Sequence, residues 1–193
     1  MAEARTLPAS YFEGIFANDS DPWNLASSEY EAGKHAATIA ALAGRHYRQA
    51  LEIGCAGGVL TRQLASVCDA LLAIDISPSA LAQAKRRCEA IDHVTFAECD
   101  FPRWTSDGER FDLIVMSEVA YYWDTADLAG AADRVRQSLL PGGDLILVHW
   151  TGATDYPQSG DAATEGLRRA LPDFTVVTAQ TTPSYRLDLW RRP

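Results

Sequence analysis

No stretch of this chain stays apolar for the roughly 18 residues that a membrane span requires, so no transmembrane segment is expected. The opening residues, Met1 to Ser10, lack the basic-then-apolar order of a secretion signal, and a cytoplasmic location follows as the expectation. Basic residues are also short: 17 Lys and Arg against 26 Asp and Glu leave a formal net charge of −9. A surface of that sign repels polyanions and lacks the basic face that displaces counterions from phosphates, which argues against DNA or RNA as partner. The cysteines, Cys55, Cys68, Cys88 and Cys99, form no C-x-x-C pair and have no paired histidines at zinc-site spacing. Free, buried thiols in a reducing compartment are expected, with neither metal nor disulfide framework. Internal repeats and low-complexity tracts are missing as well, which excludes repeat scaffolds.

What is present is one domain's worth of chain, 193 residues of which 47% are hydrophobic, enough to bury a core. From about Gln49 onward, apolar strand-like runs alternate with helix-like stretches, the pattern of a largely parallel sheet flanked by helices. Ala50 to Ile53 reads as a strand, Gly54 to Gly58 as a tight turn, and Val59 to Val67 as a helix. Ala70 to Asp75 is a second strand, followed by a helix with Ser77 at its N-cap, Pro78 in its first turn, and Leu81, Ala84, Cys88 and Ile91 along its buried stripe. Val94 to Glu98 is a third strand, and Phe111 to Met116 a fourth whose nearly unbroken apolar run suits a central position. Leu128, Ala131, Val135 and Leu139 share a helical face ahead of Pro141-Gly142-Gly143, which reads as a turn before a fifth strand at Leu145 to His149. A last helix with Ala163, Leu167 and Leu171, and a strand pair over Phe174 to Thr181 and Tyr185 to Trp190, complete the chain. Residues 1–45 read as a helical cap on the same domain, with Glu29 to Ala43 its clearest helix, and residues 46–193 as the main body.

The chemistry concentrates at the ends of these strands. Leu51-Glu52-Ile53-Gly54-Cys55-Ala56-Gly57-Gly58 stands between a strand and a helix, where glycine lets the backbone turn sharply and approach a ligand. Its spacing departs from the dinucleotide fingerprint G-x-G-x-x-G, which weakens a nicotinamide-dependent oxidoreductase reading. Asp75 ends the second strand, where a carboxylate can accept from both hydroxyls of a ribose. Asp100 follows the third strand and can accept from an adenine amino group, with Phe101 or Ile76 lining the ring.

Together with Phe111-Asp112-Leu113-Ile114 and Leu140-Pro141-Gly142-Gly143, this set resembles the class I S-adenosylmethionine (SAM)-dependent methyltransferases, over roughly Gln49 to Pro193. Tyr11-Phe12, Asp21-Pro22-Trp23, Tyr30-Glu31 and Lys34 further resemble the nodulation protein S group, whose founding activity is N-methylation of an amino sugar in a chitooligosaccharide. The resemblance implies a Rossmann-like, doubly wound α/β fold with a seven-stranded sheet whose last strand is antiparallel. It implies SAM as cofactor, with Gly54, Cys55 and Ala56 on its methionine part, Asp75 on the ribose, and Ile76, Asp100 and Phe101 at the adenine. Ser117, Trp23, Tyr30 and Lys34 join these contacts, Lys34 facing the cofactor's carboxylate. Where relatives carry an acidic or polar residue, this chain has Cys55-Ala56, so contacts there are expected through backbone.

Methyl transfer from a sulfonium is an in-line displacement that needs positioning and no metal. An amine acceptor must be neutral when it attacks, so a base nearby is expected. Glu118, just beyond the fourth strand, and His149, at the end of the fifth, are the candidates, with Tyr121, Tyr122 and Trp150 as an aromatic wall for a sugar or ring acceptor. The expected partner is a small polar molecule, an amino sugar or amine methylated on nitrogen, or an alcohol methylated on oxygen. A non-catalytic SAM-binding module is the other reading.

Overall fold

A computed structural model describes residues 5–42, 44–104 and 108–193 of the chain. It opens with α1 (Ala9–Asn18) and a short 3-10 turn at Pro22–Asn24, then runs through α2 (Glu29–Leu42), β1 (Ala50–Ile53), α3 (Val59–Leu64), β2 (Leu71–Asp75), α4 (Pro78–Arg87) and β3 (Val94–Glu98). There follow β4 (Phe111–Ser117), α5 (Thr125–Ser138), β5 (Leu139–Trp150), α6 (Gly160–Ala170), β6 (Thr175–Thr181) and β7 (Tyr185–Arg191). The seven strands take the order β3-β2-β1-β4-β5-β7-β6. With β7 antiparallel to both its neighbours, this is the Rossmann-like α/β arrangement that the resemblance implies. Two compact units make up the chain, Pro8–Asp100 and, with residues 5–7, Phe101–Pro193. No described helix is long and apolar enough to cross a membrane.

Within Pro8–Asp100, β1 is buried along its whole length and pairs in parallel with β2, which pairs in parallel with β3. The cap of α4 forms as its sequence dictates: Ser77 Oγ accepts the amide of Ala80, with Pro78 in the first turn. Leu81 and Ala84 turn inward and join Cys55, Ala73 and Phe96 in a small apolar cluster under the glycine turn. Three cysteines are buried, whereas Cys99 is only partly so; all four are free thiols.

In the other unit β4 carries the expected unbroken core, with Phe111 and Leu113 to Met116 fully buried. Helix α5 starts at Asp124, whose Oδ1 accepts the amides of Ala126 and Asp127 at 3.0 and 2.9 Å. Asp124→Ala removes that cap and is expected to lower stability by about 1 kcal/mol in urea titration; an unchanged midpoint would show that α5 is held by packing alone.

Several predicted boundaries shift. The helix expected over Val59 to Val67 is α3 followed by a 3-10 turn at Ala65–Val67. The helix expected over Glu29 to Ala43 is α2, ending at Leu42, and Ala43 lies outside the described residues. Pro141-Gly142-Gly143 is not a turn before the fifth strand but an irregularity inside it. Leu139 pairs with Phe111 and the next match is Asp144 with Leu113, so residues 140–143 stand against the single residue Asp112 and part of them is extra chain. The positive φ of Gly142, 74°, accommodates this excess, and backbone bonds from Gly142 N to Arg192 O and from Arg192 N to Gly143 O tie the bulge to the residue that follows β7.

Candidate cofactor and acceptor sites

In the unit Pro8–Asp100 the glycine turn and Asp75 form one structure. Gly54 adopts φ 75°, and the amides of Gly54 and Cys55 both donate to Ile74 O, at 2.8 and 3.0 Å. The amide of Ala56, itself at φ 47°, donates to Asp75 Oδ2 at 2.8 Å, and Ser77 N donates to Oδ1 at 2.9 Å. Asp75 therefore clamps the turn after β1 to the turn after β2. Each oxygen accepts one of these amides, and the carboxylate as a whole is an acceptor of the kind a ribose hydroxyl needs. Burial is the main influence on Asp75 and raises its pKa, partly offset by the Ser77, Ala56 and Ile76 amides. The Cys55 side chain packs in the apolar cluster; Gly54 and Ala56 are the partly exposed members of the turn. Ile76 is half-buried beside Asp75, and Asp100 is half-buried beyond β3. Behind the turn Glu52 is 2% exposed, and loss of water pushes its carboxyl up to about 8.

The cap residues divide. Trp23 is exposed and takes φ 57°, an unusual value for a bulky side chain, in a turn that Asp21 staples by accepting Ala26 N and Ser27 Oγ at 2.8 and 2.7 Å. Tyr30 is also exposed. Lys34 is not a solvated charge: it is buried, bonded to Glu31 at 3.0 Å, and lies over the Tyr30 ring at 5.2 Å.

Phe101–Pro193 holds the second group. Phe101, expected beside an adenine, is 2% exposed and packs between Trp104 and Trp123 at centroid distances of 6.0 and 6.1 Å; its ring belongs to the core and presents no open face. Ser117 is half-buried at the end of β4. Glu118 takes φ 56°, and its Oε2 accepts Tyr121 Oη at 2.6 Å and Trp150 N at 2.9 Å. A half-exposed carboxylate is thus held at a strained turn, the kind of strain that collects at functional sites. Tyr121, Tyr122 and Tyr156 pack ring against ring at 4.6–5.3 Å, so the first two are interior and Trp150 is the exposed member of the expected wall. Burial, and then the nearby Glu118 carboxylate, push the Tyr121 hydroxyl well above its usual pKa. His149 is fully buried, not open to an acceptor. No described group of His, Cys, Asp and Glu is suited to hold a metal.

A model of the nodulation protein S (NodS) family matches residues 16–153. The chain belongs to the nodulation protein S family. It is 38% identical over 128 residues to nodulation protein S of Rhizobium tropici, covering 65% of this chain and 53% of that protein. It is 34% identical over 128 residues to nodulation protein S of Bradyrhizobium diazoefficiens, covering 65% and 61%. The chain thus spans little more than half the length of these relatives. Among solved structures, N-methyltransferase NodS from Bradyrhizobium japonicum WM9, in complex with S-adenosyl-L-homocysteine, superimposes with a TM-score of 0.84 at 29% identity, covering 96% of this chain and 98% of that one.

The nodulation protein S match takes in the candidate site residues from Trp23 to Trp150, yet two features escaped the sequence reading. Glu13 on α1 accepts Ser77 Oγ at 2.7 Å, Ser79 N at 3.0 Å and Ser79 Oγ at 2.6 Å, tying α1 to the start of α4. The Ser79 and Ser77 hydroxyls hold its carboxyl below the usual value. No local motif signals this contact, because its partners are more than 60 residues away. Tyr156 sits in a segment without periodicity and packs its ring against Tyr121 and Tyr122.

Proposed function

We propose that this chain is a SAM-dependent methyltransferase acting on a small polar acceptor, the nitrogen of an amino sugar or small amine. The observation that carries the reading is the Asp75 clamp: an acceptor carboxylate at the tip of β2, fixed in orientation by Ala56 N and Ser77 N, suits a vicinal diol. Membership in the nodulation protein S family supports it, as does the likeness to an N-methyltransferase complexed with S-adenosyl-L-homocysteine.

On this reading Gly54 and the backbone of Cys55 and Ala56 face the methionine part, Asp75 the ribose, and Ile76 and Asp100 the adenine. Trp23, Tyr30, Lys34 and Ser117 complete the contacts. When bound, the cofactor supplies an electrophilic methyl group on a sulfonium. Glu118 receives the proton that an ammonium acceptor must lose, its orientation set by Tyr121 and Trp150. Trp150 offers an exposed flat face to the acceptor.

Calorimetry with SAM and S-adenosylhomocysteine tests the proposal. Wild-type protein binds both, and Asp75→Ala weakens binding by about 1.5–3 kcal/mol, roughly 10- to 150-fold, with its circular dichroism unchanged. No heat from folded wild-type protein removes the methyltransferase reading. Equal affinity in the variant removes the ribose assignment. Labelled methyl transfer to glucosamine, deacetylated chitooligosaccharides and simple amines then identifies the acceptor.

A further inference from the structure

We infer that His149 is a positioning residue, a neutral imidazole that pins the turn carrying Glu118, and not the base that takes the acceptor's proton. The inference rests on the methyltransferase reading for its consequence but on bond geometry for its substance. His149 Nε2 lies 3.2 Å from Ala120 N and accepts its hydrogen. A backbone N–H can only donate, so Nε2 is unprotonated and the ring hydrogen sits on Nδ1. That hydrogen faces Thr164 Oγ1 at 3.5 Å, and Thr164 gives its own hydrogen to Gly160 O at 2.9 Å, leaving an oxygen lone pair toward the ring. The lone pair a base would need is therefore already committed, inside a side chain with no exposed surface.

The neighbouring residue acts on the same turn. Trp150 N donates to Glu118 Oε2 at 2.9 Å, so consecutive residues at the end of β5 hold the turn twice, one by accepting from Ala120 and one by donating to Glu118. One of the two anchored residues is Glu118 itself, at its positive φ of 56°, a conformation that costs free energy and persists only where neighbours enforce it. The edge of the Tyr121 ring packs on the imidazole at 5.5 Å. The glycine at 160 makes room for this packing: a Cβ there would stand 2.1 Å from Trp150 O and 3.0 Å from His149 Cβ.

A second proton on the imidazole would place a donor at Nε2 against the donor of Ala120 and release the turn. Of the described charged and titratable groups, Tyr121 packs on the ring, Glu118 lies on the turn it holds, and Arg186 stands opposite His149 in register on β7, where Asp188, Asp161 and Glu165 engage its guanidinium. Protonation of the imidazole is accordingly expected to loosen the turn.

His149→Gln separates the two roles, because its amide oxygen can accept from Ala120 while the side chain cannot carry a proton to or from a substrate. His149→Phe fills the space and offers no acceptor. Amide exchange at Ala120 is expected to speed up by at least about tenfold in His149→Phe and to stay near wild type in His149→Gln. Methyl transfer to glucosamine should fall by about tenfold or more in kcat for Phe and by less than about threefold for Gln, with S-adenosylhomocysteine affinity unchanged in both. If Gln is as slow as Phe while Ala120 remains protected, His149 is a base and the inference is overturned. Should His149→Phe fail to fold, wild-type protein decides: protection of Ala120 is lost in step with imidazole protonation followed by nitrogen NMR, or the pin does not exist. A wild-type protein that binds no S-adenosylhomocysteine sinks the methyltransferase reading, while the exchange data still decide the pin.

Discussion

Gly58→Ala is expected to destabilise the chain by about 2–5 kcal/mol and to weaken S-adenosylhomocysteine binding with it. Gly58 has φ 80°, which an L side chain adopts only at a cost, and a Cβ there would stand 2.8 Å from the Cα and 3.0 Å from the Cβ of Ala84. Neither atom can swing aside, because both belong to the helical backbone or its first side-chain atom. α3 and α4 would have to part, opening the cluster that Cys55, Leu81 and Ala84 close. Gly57→Ala is the matched control: its Cβ meets the flexible end of Gln83, Oε1 at 3.2 Å, and φ there is not positive, so a cost under about 1 kcal/mol is expected. Urea denaturation of both variants checks the pair, and equal stabilities would refute the packing argument. The two glycines thus serve different ends, and Gly58 serves helix approach before any ligand.

Glu52→Gln is expected to stabilise the protein at alkaline pH by up to roughly 5 kcal/mol. Glu52 is 2% exposed, and burial, with a smaller contribution from the Asp75 carboxylate, pushes it from 4.5 to about 8. The Thr61 hydroxyl is near and opposes this rise, but only weakly, since neither its oxygen nor Glu52 Oε2 has a hydrogen-bond partner. A raised carboxyl means that the folded state holds a proton the unfolded state has already lost. Stability therefore falls as pH rises from about 4.5 and levels off above about 8. Glutamine keeps the shape and cannot ionise, so the variant should match wild type near pH 4 and exceed it progressively up to pH 8–9. Melting temperatures across that range test this; a wild type that gains on the variant from pH 5 to 8 would show that Glu52 is ionised in the fold.

Much of the fold was legible because the physics behind it is local. The four-residue burial of β1, the Ser77 cap with Pro78, and the apolar run of β4 follow from side chains acting on their own segment. The Pro141-Gly142-Gly143 reading failed for the opposite reason. Proline and glycine do interrupt a strand, but a register shift opposite Phe111 and Leu113 absorbed the excess, and no local rule anticipates a partner strand. At the site, Asp75 was found by its position after β2, whereas Glu13, whose donors are Ser77 and Ser79, was not.

By itself the amino-acid order determined the alternation of strands and helices, the glycine turn, the acidic strand tips and kinship with the nodulation protein S family, since each is written in neighbouring residues. Only tertiary structure decided what those residues do. It buried Phe101 as core, paired Lys34 with Glu31, and committed the His149 lone pair to Ala120. A side chain's exposure and hydrogen-bond partners come from segments far away in sequence, and these set whether a polar group meets a ligand or holds the fold.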